Sequence, residues 1–273
     1  MGSVDTQEDY TLTEEQKTHF MEHGYIKIPR CFSRTQAEDF TSNLWTRLGM
    51  SPTDKSTWTT ERTNMPWHSH VSVQEFAPRA WGAMCELLGG QERIEKGGWS
   101  DGFIVNLGRE ADEGKVIREG TERGEDLRAL DGWHSDGESV NPFNIDSPEQ
   151  ALLVIPLWSD ISPGGGGTAI ASDSIKHIAH HLYSHPEGLA PWMRPLTDPT
   201  EDRAFWTNLA HDTSKISSSS IIEATGEVGD VYLLHPLMLH SASRNLLRVP
   251  RVITNPPKLE AMRKAEVERL KGV

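Results

Sequence analysis

The sequence predicts a mainly β fold in which a helical shell precedes a β-sandwich or jelly-roll core. From Gly102 onward, short apolar segments are separated by glycine, proline and aspartate, a pattern typical of short strands and turns. Before that point, helix-capping signals dominate. The 273 residues contain neither internal repeats nor a second domain boundary, so we expect a single domain over 1–273. Its parts are a mostly helical segment over 1–100, the β core over 101–257 and a C-terminal helix over 258–273.

The first predicted element is a helix that begins after Thr13. Gln16 follows this threonine by three residues, as a capping box requires. Phe20 and Met21 are expected to begin the buried face of the helix, and Gly24 is expected to end it.

Strands and two further helices are predicted along the rest of the chain. Alternation with period two predicts a strand over Tyr25–Pro29. Helices are expected over 34–49 and 78–89. In the β core, six short apolar segments are predicted to be strands: Phe103–Leu107, Ala151–Trp158, Thr168–Ala171, Ser220–Glu223, Asp230–Leu234 and Arg251–Asn255.

Two segments interrupt the predicted strands. Residues 108–131 carry many charges and few apolar side chains, which indicates a mobile loop. Residues 173–219 contain a short predicted helix, Ile175–Leu182, and a long polar excursion. Loops of this length inside a compact domain are often functional.

The composition excludes several classes of protein. With 27 basic and 40 acidic residues, the net charge of −13 disfavours phosphate backbones, so no nucleic-acid partner is expected. No apolar run approaches the ~20 residues of a membrane span, and the first 30 residues carry no secretory signal. The two cysteines, Cys31 and Cys85, are too few for a disulfide framework and are interpreted as buried thiols. These observations predict a cytoplasmic location and leave the oligomeric state open.

The segment most informative about function is Trp133-His134-Ser135-Asp136-Gly137. Side chains two residues apart on an extended chain project to the same face, so His134 and Asp136 can share one metal ion. A third ligand is expected from a distant strand, and His240 is the candidate. Two histidines and one carboxylate bind Fe(II) on one face and leave positions for a 2-oxo acid and O2. By itself, a His-x-Asp pair is a weak signal for a metal site. The late histidine and a downstream arginine make the pattern more specific.

That arginine is Arg251, eleven residues beyond the candidate ligand histidine. Its guanidinium offers a bidentate fork that suits the far carboxylate of 2-oxoglutarate. The alternative is a surface charge, because Arg244 and Arg248 lie nearby. The position of Arg251 beside Val252 and Ile253 favours an inward orientation and the functional role.

Five motifs along the chain match the pattern of one known family. They are the start Leu12-Thr13-Glu14-Glu15-Gln16 with Gly24-Tyr25-Ile26-Lys27-Ile28-Pro29, the pair His134 and Asp136, the turn Gly164-Gly165-Gly166-Gly167-Thr168, the block from Gly229 to His240, and Arg251. On these residues the chain resembles the phytanoyl-CoA dioxygenase family of double-stranded β-helix oxygenases. The resemblance runs nearly end to end, except for 108–131 and 184–215.

The resemblance implies a double-stranded β-helix core (jelly-roll, cupin-like) and an Fe(II)- and 2-oxoglutarate-dependent dioxygenase. Such an enzyme uses O2 to oxidise a C–H bond of a small organic molecule, in many members during secondary metabolism. It implies metal-binding, catalytic roles for His134, Asp136 and His240, and cosubstrate-binding roles for Arg251, Thr168 and Asn106. Two positions depart from the pattern: Ala242 and Ile253 stand where some relatives have serine. The polar partner of the distal carboxylate is therefore left open.

Other histidines compete for a ligand role. His235 precedes a proline and follows an apolar run, which favours a hydrogen-bonded core or rim histidine. His68 and His70 have no carboxylate at short spacing, so with Trp67 they are interpreted as lining a substrate pocket or as part of a solvated loop. Three further histidines lie on the short predicted helix and are expected to form its polar face: His177, His180 and His181.

The sequence leaves alternative reactions and functions open. Iron halogenases of this class have a small residue in place of the carboxylate, so Asp136 argues against halogenation. Hydroxylation is the default, although desaturation, cyclisation and epoxidation use the same ligands. The leading alternative function is a non-catalytic, metal-binding jelly-roll protein that senses or stores a small ligand. A zinc hydrolase with the same three ligands ranks third, because it needs a general base near the open site.

Overall fold

A computed structural model describes seven ranges of the chain: 10–94, 98–115, 127–136, 142–145, 152–190, 193–197 and 204–256. The C-terminal helix predicted over 258–273 lies outside the described residues, as does 116–126 of the predicted loop.

The first helix begins and ends as the sequence predicts. Helix α1 spans Glu14–His23, and both hydrogen bonds of the capping box are present between Thr13 and Gln16. Gly24 ends the helix in the left-handed region, with a φ of 69°. The predicted buried face is wrong for Met21, which is 83% exposed. Helix α1 has no fully buried residue, because it lies at the surface and only Phe20 packs against the core.

Six further helices are described. The predicted helix over 34–49 is two helices, and the break falls at residues 41–43, where Thr41 Oγ1 donates to the carbonyl of Ala37 (2.8 Å). None of the described helices is long and apolar enough to cross a membrane. The six are α2 (Arg34–Phe40), α3 (Leu44–Leu48), α4 (Val73–Phe76), α5 (Pro78–Leu88), α6 (Ser174–Tyr183) and α7 (Ala204–His211).

The described residues include thirteen strands. All six strands predicted in the β core are present, Thr168–Ala171 with the predicted ends and the other five with ends that differ by one or two residues. Six further strands were not predicted, among them the one that carries His240. The thirteen are β1 (Tyr25–Ile28), β2 (Arg62–Asn64), β3 (His70–Ser72), β4 (Gly98–Ser100), β5 (Ile104–Asn106), β6 (Leu153–Pro156), β7 (Thr168–Ala171), β8 (Leu189–Ala190), β9 (Arg194–Pro195), β10 (Ile221–Ala224), β11 (Val231–Leu234), β12 (Leu239–Ala242) and β13 (Arg251–Ile253).

The strands that matter for the site form two antiparallel arrays. In the first, β1-β11-β6 is joined to β13-β5-β2 by a bridge between Leu157 and Ile253. In the second, β10-β7-β12 is extended by a bridge between His240 and His134. The fold is therefore a mixture of helices and antiparallel sheets, with the residues of the predicted metal site on the second array.

One apolar cluster draws side chains from both arrays and defines their inner faces. Its strand residues include Leu153, Ile155, Ile170, Ala224, Tyr232, Leu234 and Ile253. Because side chains alternate along a strand, Thr168 and Arg251 lie on the same face as Ile170 and Ile253, each two positions away. His240 is paired with Ile170 and Asn106 with Arg251, so these two residues also lie on the inner faces of their strands.

The helices cover the outer faces. Ala80 and Met84 of α5 belong to the same buried cluster as Val154 of β6 and Leu233 of β11, on the outside of the first array. Helices α6 and α7 contribute to a second outer cluster, which includes the outward residues of β7 and β12. Five of the seven described helices lie in the first third of the chain, where β1 to β4 also lie, and α6 and α7 cover the second array.

The glycine-rich turn before β7 is held by a carboxylate. Glu223 accepts hydrogen bonds from the backbone N–H groups of Gly164 (2.7 Å), Gly166 (3.1 Å) and Gly167 (2.8 Å). Gly166 has a φ of +84°, and a Cβ there would lie 2.7 Å from Nδ2 of Asn106. Glycine is required at this position because of both its conformation and the lack of space.

Glu223→Gln is expected to lower the free energy of unfolding by about 2–3 kcal/mol, because an amide loses the charge and one of the acceptor oxygens that satisfy the turn. Urea unfolding followed by circular dichroism measures the change. Glu227→Gln, at an exposed position in the loop that follows β10, is the matched control. Equal stability of the two variants would contradict a structural role for Glu223.

Candidate metal centre

Two histidines far apart in sequence are held side by side by their own backbones. The N–H of His134 donates to the carbonyl of His240 (3.0 Å), and the N–H of His240 donates to the carbonyl of His134 (2.9 Å). Directly opposed residues of an antiparallel pair project their side chains to the same face. The two imidazole rings accordingly lie with their centroids 4.3 Å apart.

Backbone carbonyls fix the same tautomer in both rings. Nδ1 of His134 lies 2.7 Å from the carbonyl oxygen of Gly132, and Nδ1 of His240 lies 3.0 Å from that of Met238. A carbonyl oxygen can only accept a hydrogen bond, so Nδ1 carries the proton in each ring. Each Nε2 is left with a lone pair, which is the usual arrangement of a metal-binding histidine.

The carboxylate of Asp136 meets both of these nitrogens. Its Oδ1 lies 3.6 Å from Nε2 of His134 and 3.8 Å from Nε2 of His240. Two ligand atoms that share an ion about 2 Å from each lie at most about 4 Å apart. Both carboxylate distances meet this limit, and the three ligand atoms all lie within 4.8 Å of one another, which makes the group a candidate site for a single ion.

Asn255 was not predicted from the sequence, yet it contacts this group directly. Its Nδ2 donates to Oδ2 of Asp136 (2.6 Å). A lone asparagine after an apolar strand gives no signal in a sequence, because its contact with residue 136 depends on the pairing of distant strands.

Arg251 is buried, with only 2% of its surface exposed. Its Nε donates to the carbonyl of Gly166 (2.6 Å), and one terminal nitrogen lies 3.4 Å from the carbonyl of Ile104. No carboxylate among the described residues forms an ion pair with it. Burial, together with the nearby charge of Arg62, lowers the pKa of Arg251 to about 10, while the charge of Glu223 opposes this shift. The guanidinium therefore remains charged at neutral pH.

The two weaker cosubstrate residues differ in their surroundings. Thr168 is buried on the inner face of β7, opposite Ala242 of β12, two residues from His240. Asn106 has both ends of its amide engaged, because Nδ2 donates to the carbonyl of Ser243 (3.1 Å) and Oδ1 accepts from the N–H of Gly108 (3.1 Å). These bonds favour a structural role for Asn106, and a cosubstrate contact stays a prediction for both residues.

The competing histidines lie outside the group. Nδ1 of His235 accepts from the N–H of Leu237 (3.1 Å), as expected for a hydrogen-bonded rim histidine. His68 and His70 are exposed, and Trp67 between β2 and β3 is 68% exposed. In the described part of the chain, the group of His134 with its two partners is the one set of three side chains arranged for a metal.

Two histidines of α6 contact neighbouring parts of the protein, and both cysteines are at least partly buried. Nε2 of His177 contacts the carbonyl of Lys215 (3.2 Å), and the ring of His181 stacks on Phe205. Burial raises the pKa of the Cys31 thiol well above its ordinary value, which makes it a poor nucleophile. Cys85 is only partly buried, so the prediction of two buried thiols is wrong for this residue.

Neither a protein-family model nor a curated protein matches the chain. Solved structures do match. The non-haem α-ketoglutarate-dependent carbocyclase SnoK from nogalamycin biosynthesis is 18% identical, with a TM-score of 0.49 over 92% of this chain and 85% of that one. EctD from S. alaskensis, solved with 2-oxoglutarate and 5-hydroxyectoine, is 17% identical, with a TM-score of 0.48 over 93% and 76%.

The hypothetical protein JW0805 from Escherichia coli is 14% identical, with a TM-score of 0.50 over 92% of this chain and 68% of that one. The similar solved structures thus include iron- and 2-oxoglutarate-dependent enzymes. At these identities the likeness concerns the fold alone, and the roles of individual residues rest on the geometry of this chain.

His240→Ala is expected to abolish binding of Co(II), whereas His235→Ala is expected to leave it unchanged. The reason is that Nε2 of His240 faces Asp136, while the ring of His235 is engaged by its own loop. Isothermal titration of the metal-free protein measures both affinities. Loss of binding in the His235 variant, with binding retained in the His240 variant, would reassign the third ligand.

Proposed function

We propose that the chain is an Fe(II)- and 2-oxoglutarate-dependent dioxygenase with a jelly-roll core that oxidises a C–H bond of a small organic molecule. One observation carries this proposal. A three-ligand group and a buried arginine that forms no ion pair with a described carboxylate share the inner faces of two strand arrays. A metal site alone is common to many functions, but this pairing fits a ligand that is both a chelator and an anion.

The donor set fits iron. Two imidazoles and one carboxylate form the facial arrangement that non-haem Fe(II) oxygenases use, with positions left for a cosubstrate and O2. His134, His240 and Asp136 would hold the ion through two Nε2 atoms and Oδ1. The carboxylate of Asp136 also disfavours halogenation, because a halide would need its position.

Arg251 fits the far carboxylate of 2-oxoglutarate. A buried charge without an ion pair is costly unless a ligand compensates it. The Gly166 carbonyl holds Nε of the guanidinium and so fixes its orientation. A dicarboxylate that binds the metal at one end can place its other end against this cation. Thr168 lies on β7 between Gly166, which contacts Arg251, and Ile170, which pairs with His240. Its hydroxyl is the proposed second contact of the cosubstrate carboxylate.

When bound, iron, 2-oxoglutarate and O2 supply C–H oxidation with release of succinate and CO2. The residues of the chain bind and orient the reactants. His134 and His240 keep Nδ1 protonated through their carbonyl partners and so present Nε2. Arg251 fixes the direction of the cosubstrate, which leaves the opposite side of the site for the substrate.

The finer assignments rest on sequence. Membership of the phytanoyl-CoA dioxygenase family is supported by the His-x-Asp pair, the glycine-rich turn, and the arginine eleven residues beyond His240. The net charge of −13 agrees with a small-molecule substrate rather than a nucleic acid, and the presence of only two cysteines agrees with a cytoplasmic location. We also propose that the exposed stretch from Trp67 to His70 lines the approach to the substrate pocket.

Anaerobic addition of Fe(II) and 2-oxoglutarate is expected to produce the weak visible band of a chelated 2-oxo acid. Exposure to O2 is then expected to release succinate, even if slowly without substrate. His134→Ala provides the blank. A bound metal without this band would favour the non-catalytic alternative, and activity with Zn(II) in the absence of O2 would favour a hydrolase.

Arg251→Lys is expected to raise the KM for 2-oxoglutarate by about 10-fold to 100-fold, because lysine keeps the charge but loses the bidentate fork. Binding of Fe(II) alone should be unchanged. Steady-state succinate release at varied 2-oxoglutarate measures the first, and titration measures the second. An unchanged KM would remove Arg251 from the cosubstrate site.

A further inference from the structure

The side chain of Asp136 is held by another side chain, that of Asn255. His134 is fixed by two backbone hydrogen bonds to His240, whereas Asp136 lies two residues beyond that bridge and outside any described strand. Its Oδ1 faces both imidazole Nε2 atoms, and its Oδ2 accepts from Asn255 at 2.6 Å. The two oxygens of one carboxylate therefore have different partners.

Asn255 is itself held by a rigid part of the fold. The preceding residue, Thr254, is fully buried, and its hydroxyl accepts from the indole N–H of Trp158 (3.0 Å). The backbone N–H of Trp158 donates to the carbonyl of Val252 (2.9 Å). The side chain of Asn255 therefore projects from a strand end that is fixed on the side away from the metal centre.

We propose that Asn255 is a positioning residue for the metal centre. It holds Oδ2 of Asp136, so that this carboxylate binds a divalent cation through Oδ1 alone. This inference rests on the proposed function. It adds a residue that belongs to none of the motifs on which that function depends.

The same strand would then serve both ends of the site. Strand β13 carries Arg251, which is buried against Gly166, and its extension carries Asn255, which contacts Asp136. A carboxylate restricted to one oxygen leaves a further metal position for a chelating cosubstrate. Without the asparagine, the hydrogen bond that directs Oδ2 away from the ion is lost.

The experiment compares wild type with Asn255→Leu, which has nearly the same shape but no donor, and with Asn255→Ala. Asn64→Ala, at an exposed asparagine on β2, is the control. Co(II) is the probe, and three quantities are measured: the melting temperature of the metal-free protein, the dissociation constant for Co(II), and the visible d–d spectrum of the Co(II) form.

Both Asn255 variants are expected to bind Co(II) about 10-fold to 100-fold more weakly and to show an altered d–d spectrum. The melting temperature of the metal-free protein should stay that of wild type. If Asn255→Leu does not fold, Asn255→Ala alone decides. An affinity within twofold of wild type overturns the proposal, and so does weaker binding with an unchanged spectrum. Failure of wild type to bind Co(II), or equal binding by His134→Ala, would instead overturn the metal centre itself.

Discussion

The reciprocal pair of backbone hydrogen bonds between His134 and His240 is the constraint on which the site depends. It joins two segments that are more than a hundred residues apart and sets both imidazoles on one inner face. Each ring is then oriented by a carbonyl of its own segment, so the ligand atoms are positioned before any ion arrives. Asp136 is brought to the same point by its sequence spacing and by Asn255. Such preorganisation reduces the cost of ordering ligands on binding.

A second constraint is the buried charge of Arg251. Its burial is possible because β13 lies between β6 and β5 and because the Gly166 carbonyl accepts from Nε. That carbonyl is available only because Glu223 holds the glycine-rich turn and because glycine alone fits at position 166. A cation buried in this way, with no ion pair to a described carboxylate, favours an anionic ligand. The glycine-rich turn, the carboxylate of Glu223 and the guanidinium of Arg251 thus act together, although they come from three different parts of the chain.

The sequence predicted those features that depend on local spacing. The capping box at Thr13, the strands of the core and the His-x-Asp pair each depend on residues a few positions apart, and all are present. Met21 was predicted wrongly, because helical periodicity does not reveal how much of a short surface helix is covered. Contacts that depend on strand pairing and belong to no motif were missed, above all those of Asn255 and Glu223. These partners are set by register between distant strands, which a single sequence does not encode visibly.

One ion and one dicarboxylate are proposed to occupy the inner face together. Anomalous X-ray diffraction from crystals grown anaerobically with Mn(II) and 2-oxoglutarate is the decisive measurement, because manganese occupies such sites without turnover and gives a distinct signal. An anomalous peak is expected between the two Nε2 atoms and Oδ1 of Asp136, with the far carboxylate of 2-oxoglutarate against the Arg251 guanidinium. A peak elsewhere, or a cosubstrate carboxylate that does not contact Arg251, would contradict this proposal.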